Sequence, residues 1–299
     1  MIQPAALKKG DKIAITCPAK SLTVPMTDAI QLLESWGLEV VLGETLTAVY
    51  HQFSGSDELR AKDMQTFIND MDIKAIIAAR GGYGCLRIVD EIDWTPLLQN
   101  PKWVIGFSDI TVLHAAIQKQ NIISIHGPMA VAFSKGVEGA IFVESIRAIL
   151  EGRSIECVAK AHPFNKLGKV HARLVGGNLC MVAHLIGSKY SFSTKGKILF
   201  LEDIGEYHYN LDRLVIQMKR AGIFENLAGL IVGGFTDMKD KSTDFGATAF
   251  EIIQQHTAQF DFPVCYGFPI SHDINNFAVK EGGMYDLEIT KTQVTLNEA

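Results

Sequence analysis

The sequence predicts an α/β fold, with a parallel-sheet domain in the first half of the chain and a second domain of strands and helices after it. Three observations carry this. Short apolar runs alternate with stretches whose apolar residues recur at helical spacing, the signature of βαβ units. The runs are nearly continuous, as strands buried on both faces require. Between Gly136 and Lys169 the pattern loosens into a polar stretch punctuated by Gly136, Gly139, Gly152, Pro163 and Gly168. The expected division is an N-terminal α/β domain over 1–145, a linker over 146–169 and a C-terminal β/α domain over 170–299.

The elements follow in order. Lys12–Cys17 reads as a strand, Pro25–Trp36 as a helix with Met26, Ile30 and Leu33 inward, and Leu38–Leu42 as the next strand after the stop at Gly37. Asp57–Asp70 is a second helix, facing the core with Leu59, Met64, Phe67 and Ile68. Lys74–Ala79, Val104–Phe107 and Ile122–Ile125 are strands, the last two separated by a helix over Ile110–Gln120. A helix near Phe142–Glu151 precedes the crossing to the second domain, which begins near Val170. There Asn178–Ile186, Asn210–Ala221 and Ala247–His256 read as helices, Lys197–Glu202 and Leu227–Val232 as strands, and Tyr285–Ile289 with Gln293–Leu296 as a closing hairpin.

Composition narrows the function. The 299 residues carry a net charge of -5 and 47% hydrophobic residues, enough for a large core. No Lys/Arg run offers a phosphate-binding patch, so nucleic acid is not expected as a partner. No secretory signal begins the chain, and no apolar run approaches the ~20 residues of a membrane span, so the expected location is the cytoplasm and no membrane partner is expected. The five cysteines are scattered and form no Cys-x-x-Cys pair, which points to buried free thiols rather than disulfides or zinc. No His-Glu-x-x-His motif occurs, and neither a metal nor any other cofactor is expected.

Ser108 falls where Trp103–Phe107 passes from strand to helix. In a parallel sheet that is the carboxyl edge, where ligands bind. A serine there resembles a nucleophile elbow, although Ile110 stands where that motif has glycine. The N–H of Asp109, at the start of the helix, is a natural donor to an oxyanion. Taken alone, Ser108 and Asp109 are equally ordinary helix caps. The loop Arg80-Gly81-Gly82-Tyr83-Gly84 follows another strand. It lacks both nucleotide-loop patterns, leaving a tight turn or a second oxyanion donor, with Gly82 preferred.

A serine nucleophile needs a base, and the base needs an orienting carboxylate. Of nine histidines, His114 lies almost two turns into the helix after Ser108 and cannot reach back. His184 and His256 sit in helical stretches. His126 opens the turn His126-Gly127-Pro128. His272 lies in a loop directly after the apolar run Val264–Phe268, a sound place for a base. For the carboxylate, the strand Leu199-Phe200-Leu201 ends in Glu202 and Asp203; such a charge is costly at a buried edge without a partner. Patterning leaves both acids open. A substrate with free carboxylates also calls for a cation, and Arg80 and Arg213 are candidates.

These segments together resemble peptidase family S66, the L,D-carboxypeptidases of murein recycling and the related microcin-immunity peptidases. The matching motifs are Arg80–Gly84, Gly106–Thr111, His126–Pro128, Gly176-Gly177-Asn178-Leu179, Leu201–Asp203 with Tyr209–Arg213, and Gly267–Asn275. They occur in family order from Lys8 onward. The resemblance implies a flavodoxin-like N-terminal domain, a swivelling β/α C-terminal domain and a homodimer. It implies Ser108 as nucleophile, Glu202 as carboxylate, His272 as base, and the N–H groups of Gly82 and Asp109 as the oxyanion hole. Arg80, Tyr83 and Arg213 are the expected substrate contacts. The implied reaction releases a C-terminal D-amino acid, D-alanine, from a murein tetrapeptide; the alternative is hydrolysis of an acylated or peptidyl nucleotide. Phe107, Cys180 and Gly187-Ser188 depart from common family residues and leave the triad untouched.

Overall fold

A computed structural model describes residues 1–134, 137–274 and 276–299. Gly136, in the loosened stretch, and Asn275, at the end of the Gly267–Asn275 motif, lie outside the described residues. In chain order the elements are β1 Lys12–Thr16, α1 Thr27–Ser35, β2 Glu39–Leu42, α2 Asp57–Asn69, β3 Ile73–Ala78, α3 Cys85–Ile88, β4 Trp103–Gly106, α4 Thr111–Lys119, β5 Ser124–His126 and α5 Val137–Leu150. They continue as β6 Glu156–Lys160, β7 Gly168–Asn178, α6 Leu179–Leu185, β8 Ile198–Ile204, α7 His208–Arg220, β9 Gly229–Thr236, α8 Ala249–Thr257, β10 Val264–Tyr266, β11 Val279–Glu281, β12 Met284–Ile289 and β13 Gln293–Glu298.

The chain forms two units. The first comprises Met1–Ser154 with Ala278–Gly282, the second Ile155–Phe277 with Gly283–Ala299. In the first unit the strand order is β2-β1-β3-β4-β5-β11, parallel throughout except for β11. The order 2-1-3-4-5 is the flavodoxin-like one, and its ligand-binding edge is the carboxyl ends of the strands. β1, β3 and β4 are buried almost throughout because Ile13–Ile15, Ala75–Ala78 and Trp103–Ile105 carry no polar side chain to expose. α2 starts where the Ser56 side chain accepts from Leu59 N at 3.2 Å, and it buries Met64, Phe67 and Ile68.

In the second unit the order is β10-β9-β8-β7-β12-β13-β6. β7 to β10 run parallel, while β12, β13 and β6 extend the sheet antiparallel. Leu199 and Leu201 of β8 pack with Leu211, Val215 and Met218 of α7 and Ile252 and Ile253 of α8 in its core. A capping box between Thr248 and Glu251 starts α8.

The observed division differs from the expected one in two places. Residues 156–160, expected in the linker, pair as β6 with β13. The sequence hid this strand because its residues alternate between exposed and covered and include two charged side chains. The chain also returns to the first unit as β11, where Val279 pairs with His126, so 170–299 is not one continuous domain. Val-Lys-Glu reads as no strand by propensity; the pairing with β5 overrides it.

Candidate active site

The expected site residues fall on both units: Arg80, Gly82, Tyr83, Ser108 and Asp109 on the first, Glu202, Arg213 and His272 on the second. β4 ends at Gly106, and Ser108 then takes a left-handed backbone, φ 63°. This conformation costs a non-glycine residue about 1–3 kcal/mol and gathers at functional sites. A short 3₁₀ turn, Ser108–Ile110, leads into α4. Ser108 remains half-buried, so its hydroxyl is not sealed in the core.

The glycine loop lies against this turn. A Cβ at Gly81 would stand 3.1 Å from Ser108 Cβ and 3.3 Å from its Oγ, closer than side chains ordinarily pack. Gly82 has φ 116°, which a side chain rarely adopts. Neither the Gly82 nor the Asp109 N–H has a hydrogen-bond acceptor among the described residues, as donors awaiting an oxyanion should be. The Asp109 side chain does not cap α4. Its Oδ2 accepts from Cys85 N at 2.7 Å, tying the serine turn to the end of the glycine loop, and burial pushes its carboxyl above the usual range.

Two residues outside the expected site complete this scaffold. Arg60, fully buried in α2, donates to Pro18 O at 2.7 Å and Gly84 O at 3.1 Å and pairs with Asp57. His114, which cannot reach Ser108, donates from Nε2 to the Gly106 carbonyl at 2.8 Å. Burial pulls its imidazole down to about 4, so it is neutral at physiological pH. Neither role was visible beforehand: Arg60 reads as a surface residue of its helix, and the sequence offers His114 only as a candidate base. Arg80 Nη1 donates to Ser21 O at 3.2 Å. Tyr83 is exposed, its ring 6.0 Å from Phe53.

On the second unit, Glu202 is fully buried within β8 and its Oε2 lies 2.5 Å from His272 Nδ1. A carboxylate only accepts, so Nδ1 donates and Nε2 is left as the basic nitrogen. Burial alone would lower the His272 pKa. The charge and hydrogen bond of Glu202, with help from Asp203, outweigh it and raise the value above 6.5. Asp203 faces elsewhere: it accepts from Asn178 Nδ2 at 2.7 Å, Ile204 N at 2.8 Å and Cys180 N at 3.0 Å. Burial and the charge of Glu202 push its carboxyl up to about 7. The two acids left open by the sequence thus divide: one meets the histidine, the other ties the Gly-Gly-Asn-Leu turn to β8. Asp203→Asn would set an amide donor against a backbone donor. It should cost about 1–3 kcal/mol in a denaturant unfolding experiment.

The histidine loop sits on a bulge. Register between β8 and β9 shifts between Leu201 and Asp203, leaving Gly233 and Gly234 opposite Glu202. Bulges of this kind re-aim side chains beside functional sites. Gly234 N donates to Ile270 O at 2.8 Å, and a Cβ at Gly233 would stand 2.2 Å from that same oxygen. The Gly-Gly pair was the overlooked signal. Gly233→Ala should destabilise the protein by about 1–3 kcal/mol, read as a lower unfolding midpoint. Arg213 is exposed on α7 with its guanidinium 5.4 Å from the Tyr209 ring, and it hydrogen-bonds to neither Glu202 nor His272 among the described residues.

No group of three or more His, Cys, Asp or Glu among the described residues could hold a metal ion, and no described helix is long and apolar enough to cross a membrane. All five cysteines are free thiols, four of them buried.

Comparison with known proteins gives a consistent result. The family model described as LD-carboxypeptidase N-terminal domain matches residues 13–127, and that described as LD-carboxypeptidase C-terminal domain matches 171–287. The chain is 31% identical to a probable murein peptide carboxypeptidase of Bacillus subtilis, over 94% of this chain and 89% of that one. It is 30% identical to the murein tetrapeptide carboxypeptidase of Pseudomonas aeruginosa, over 93% of each. Among solved structures, a muramoyltetrapeptide carboxypeptidase from Oxalobacter formigenes matches with TM-score 0.85 and 28% identity, covering 96% of this chain and 98% of that one. The microcin C7 self immunity protein MccF, in complex with aspartyl sulfamoyl adenosine, matches with TM-score 0.87 at 22% identity, over 100% and 99%.

Proposed function

Because the chain belongs to the LD-carboxypeptidase family, peptidase S66, we propose that it is a serine carboxypeptidase that releases D-alanine from the C-terminus of murein tetrapeptides. The observation that carries the proposal is the His272–Glu202 hydrogen bond, which fixes the imidazole with Nε2 as its base. The strained Ser108 turn against the glycine loop, with Gly82 and Asp109 N–H groups that have no acceptor among the described residues, supports it from the other unit.

In this reading Ser108 Oγ attacks the carbonyl carbon before the terminal D-residue, and its proton passes to His272 Nε2. Glu202 holds the imidazole and stabilises its charged form. The N–H groups of Gly82 and Asp109 receive the oxyanion, each worth about 10²–10³ in rate. His272 then protonates the departing amine, and the peptide is left as an ester on Ser108. Water, deprotonated by the same imidazole, hydrolyses the ester. Arg80, Tyr83 and Arg213 are the side chains proposed to contact the rest of the substrate. A cytoplasmic location, a role in peptidoglycan recycling and a homodimer belong to the same proposal.

Murein peptides are favoured over acylated or peptidyl nucleotides because relatives near 30% identity carry murein names, whereas MccF at 22% speaks for the fold alone. Mass spectrometry of a defined tetrapeptide ending in an L-centre followed by D-alanine tests the choice. The proposal expects a tripeptide and free D-alanine. An intact tetrapeptide, with turnover of an aminoacyl-sulfamoyl nucleotide instead, would overturn it.

A further inference from the structure

A carboxypeptidase must recognise the negative charge that ends its substrate. That carboxylate carbon is three bonds from the carbonyl carbon under attack, about 3–4 Å away by standard backbone dimensions. The cation that anchors it must therefore stand beside the oxyanion donors. On the first unit three cations touch the glycine loop: Arg60, which is buried and paired with Asp57, Arg80 and Lys20. The guanidinium of Arg80 is engaged with the Ser21 carbonyl.

Lys20 is placed differently. Its stem lies across Gly82: a Cβ on that glycine would stand 2.7 Å from Lys20 Cβ, 3.6 Å from Cγ and 3.4 Å from Cδ. Its backbone is fixed from several sides. The N–H donates to Gly81 O at 3.4 Å, the carbonyl accepts from Ser54 Oγ at 3.2 Å and Cys17 Sγ at 3.0 Å, and Lys20 bridges Phe53. Buried Arg60 holds Pro18 and Gly84, on either side of this contact. Gly81, which Lys20 N contacts, is the glycine packed on Ser108. Lys20 itself is exposed and forms no ion pair among the described residues. A lysine stem with no ion pair among the described residues is thus mounted, on a backbone fixed by hydrogen bonds, against Gly82, one of the proposed oxyanion donors.

We propose that Lys20 binds the C-terminal carboxylate of the substrate and so confines cleavage to the last peptide bond. The inference rests on the proposed function and names the specificity element of that site. A lysine serves here as a point charge on a flexible stem, suited to a carboxylate whose orientation changes as the carbonyl becomes tetrahedral.

The test compares an L,D-tetrapeptide acid with its C-terminal amide, which has the same scissile bond without the charge. Wild-type protein should prefer the acid. Lys20→Met should lower kcat/KM for the acid by about 10–100-fold, the effect of losing one charge-assisted hydrogen bond. Turnover of the amide should stay within about twofold, and Lys20→Arg should restore most of the preference for the acid. An unchanged acid-to-amide ratio in Lys20→Met overturns this inference alone, as does an equal loss on both substrates. Loss of the preference in Arg80→Met but not in Lys20→Met does the same. Turnover of neither substrate by the wild-type chain overturns the proposed function and this inference with it.

Discussion

Ser108→Ala should lower kcat for an L,D-tetrapeptide by about 10⁴-fold or more, leaving only what binding and oxyanion donors supply without a nucleophile. The variant should fold, since only the hydroxyl of a half-buried residue is removed, while the backbone bond from Thr111 N to the Ser108 carbonyl stays. A companion substitution separates strain from chemistry. Ser108 holds φ 63°, a region that penalises every residue with a Cβ. Ser108→Gly should be as inactive as the alanine variant yet more stable, by about 1–2 kcal/mol. A protein that is stabilised by losing its proposed nucleophile bears the mark of a site strained for function. Denaturant midpoints and single-substrate kinetics on the two variants check both halves of the expectation.

Glu202→Gln should lower kcat by about 10³–10⁴-fold, comparable to loss of the orienting carboxylate in other serine peptidases. The pH profile should move as well, and its sign follows from the geometry. Nε2 accepts the serine proton only when His272 is neutral, so activity rises as pH climbs through the histidine pKa. Glu202 raises that pKa through its charge and its hydrogen bond, against the lowering effect of burial. Removing the charge lets burial prevail. The ascending limb of kcat/KM should therefore shift to lower pH in Glu202→Gln, while the plateau falls. An unshifted limb would mean that the histidine governing turnover is not the one paired with Glu202.

Much of this molecule is legible in its sequence because its sheet strands are short, apolar and separated by well-marked helices. Ile13–Ile15, Ala75–Ala78 and Trp103–Ile105 announce themselves, and the Gly37 stop bounds the first helix. The elements that stayed hidden are those fixed by distant partners. β7 runs through Gly176-Gly177 to Asn178, and a Cβ on Gly176 would stand 1.9 Å from Phe200 O, so these glycines mark close strand packing. β11 is strand only because β5 is there to pair with it.

The same divide runs through the site. Ser108 was visible as a hydroxyl at a strand-to-helix turn; its left-handed backbone was not, because a serine gives no pattern for positive φ, and the Gly81 packed on it is distant in sequence. Glu202 and Asp203 were inseparable by pattern. Adjacent strand residues point to opposite faces, and only the fold decides which face meets a histidine. Here a bulge formed by Gly233 and Gly234 lies against the Glu202 side. Arg60, a charged residue in an otherwise ordinary amphipathic helix, gave no sign that it was buried under the glycine loop.

The central claim is that Ser108 is a nucleophile activated by His272 and Glu202, and active-site labelling tests it most directly. A peptidyl fluorophosphonate should add one phosphonyl group to the wild-type protein, mapped by peptide mass spectrometry to Ser108. Ser108→Ala should take up none, and Glu202→Gln should react much more slowly. A wild-type chain that cleaves the tetrapeptide yet resists the reagent, or that carries the adduct on another residue, would contradict the account.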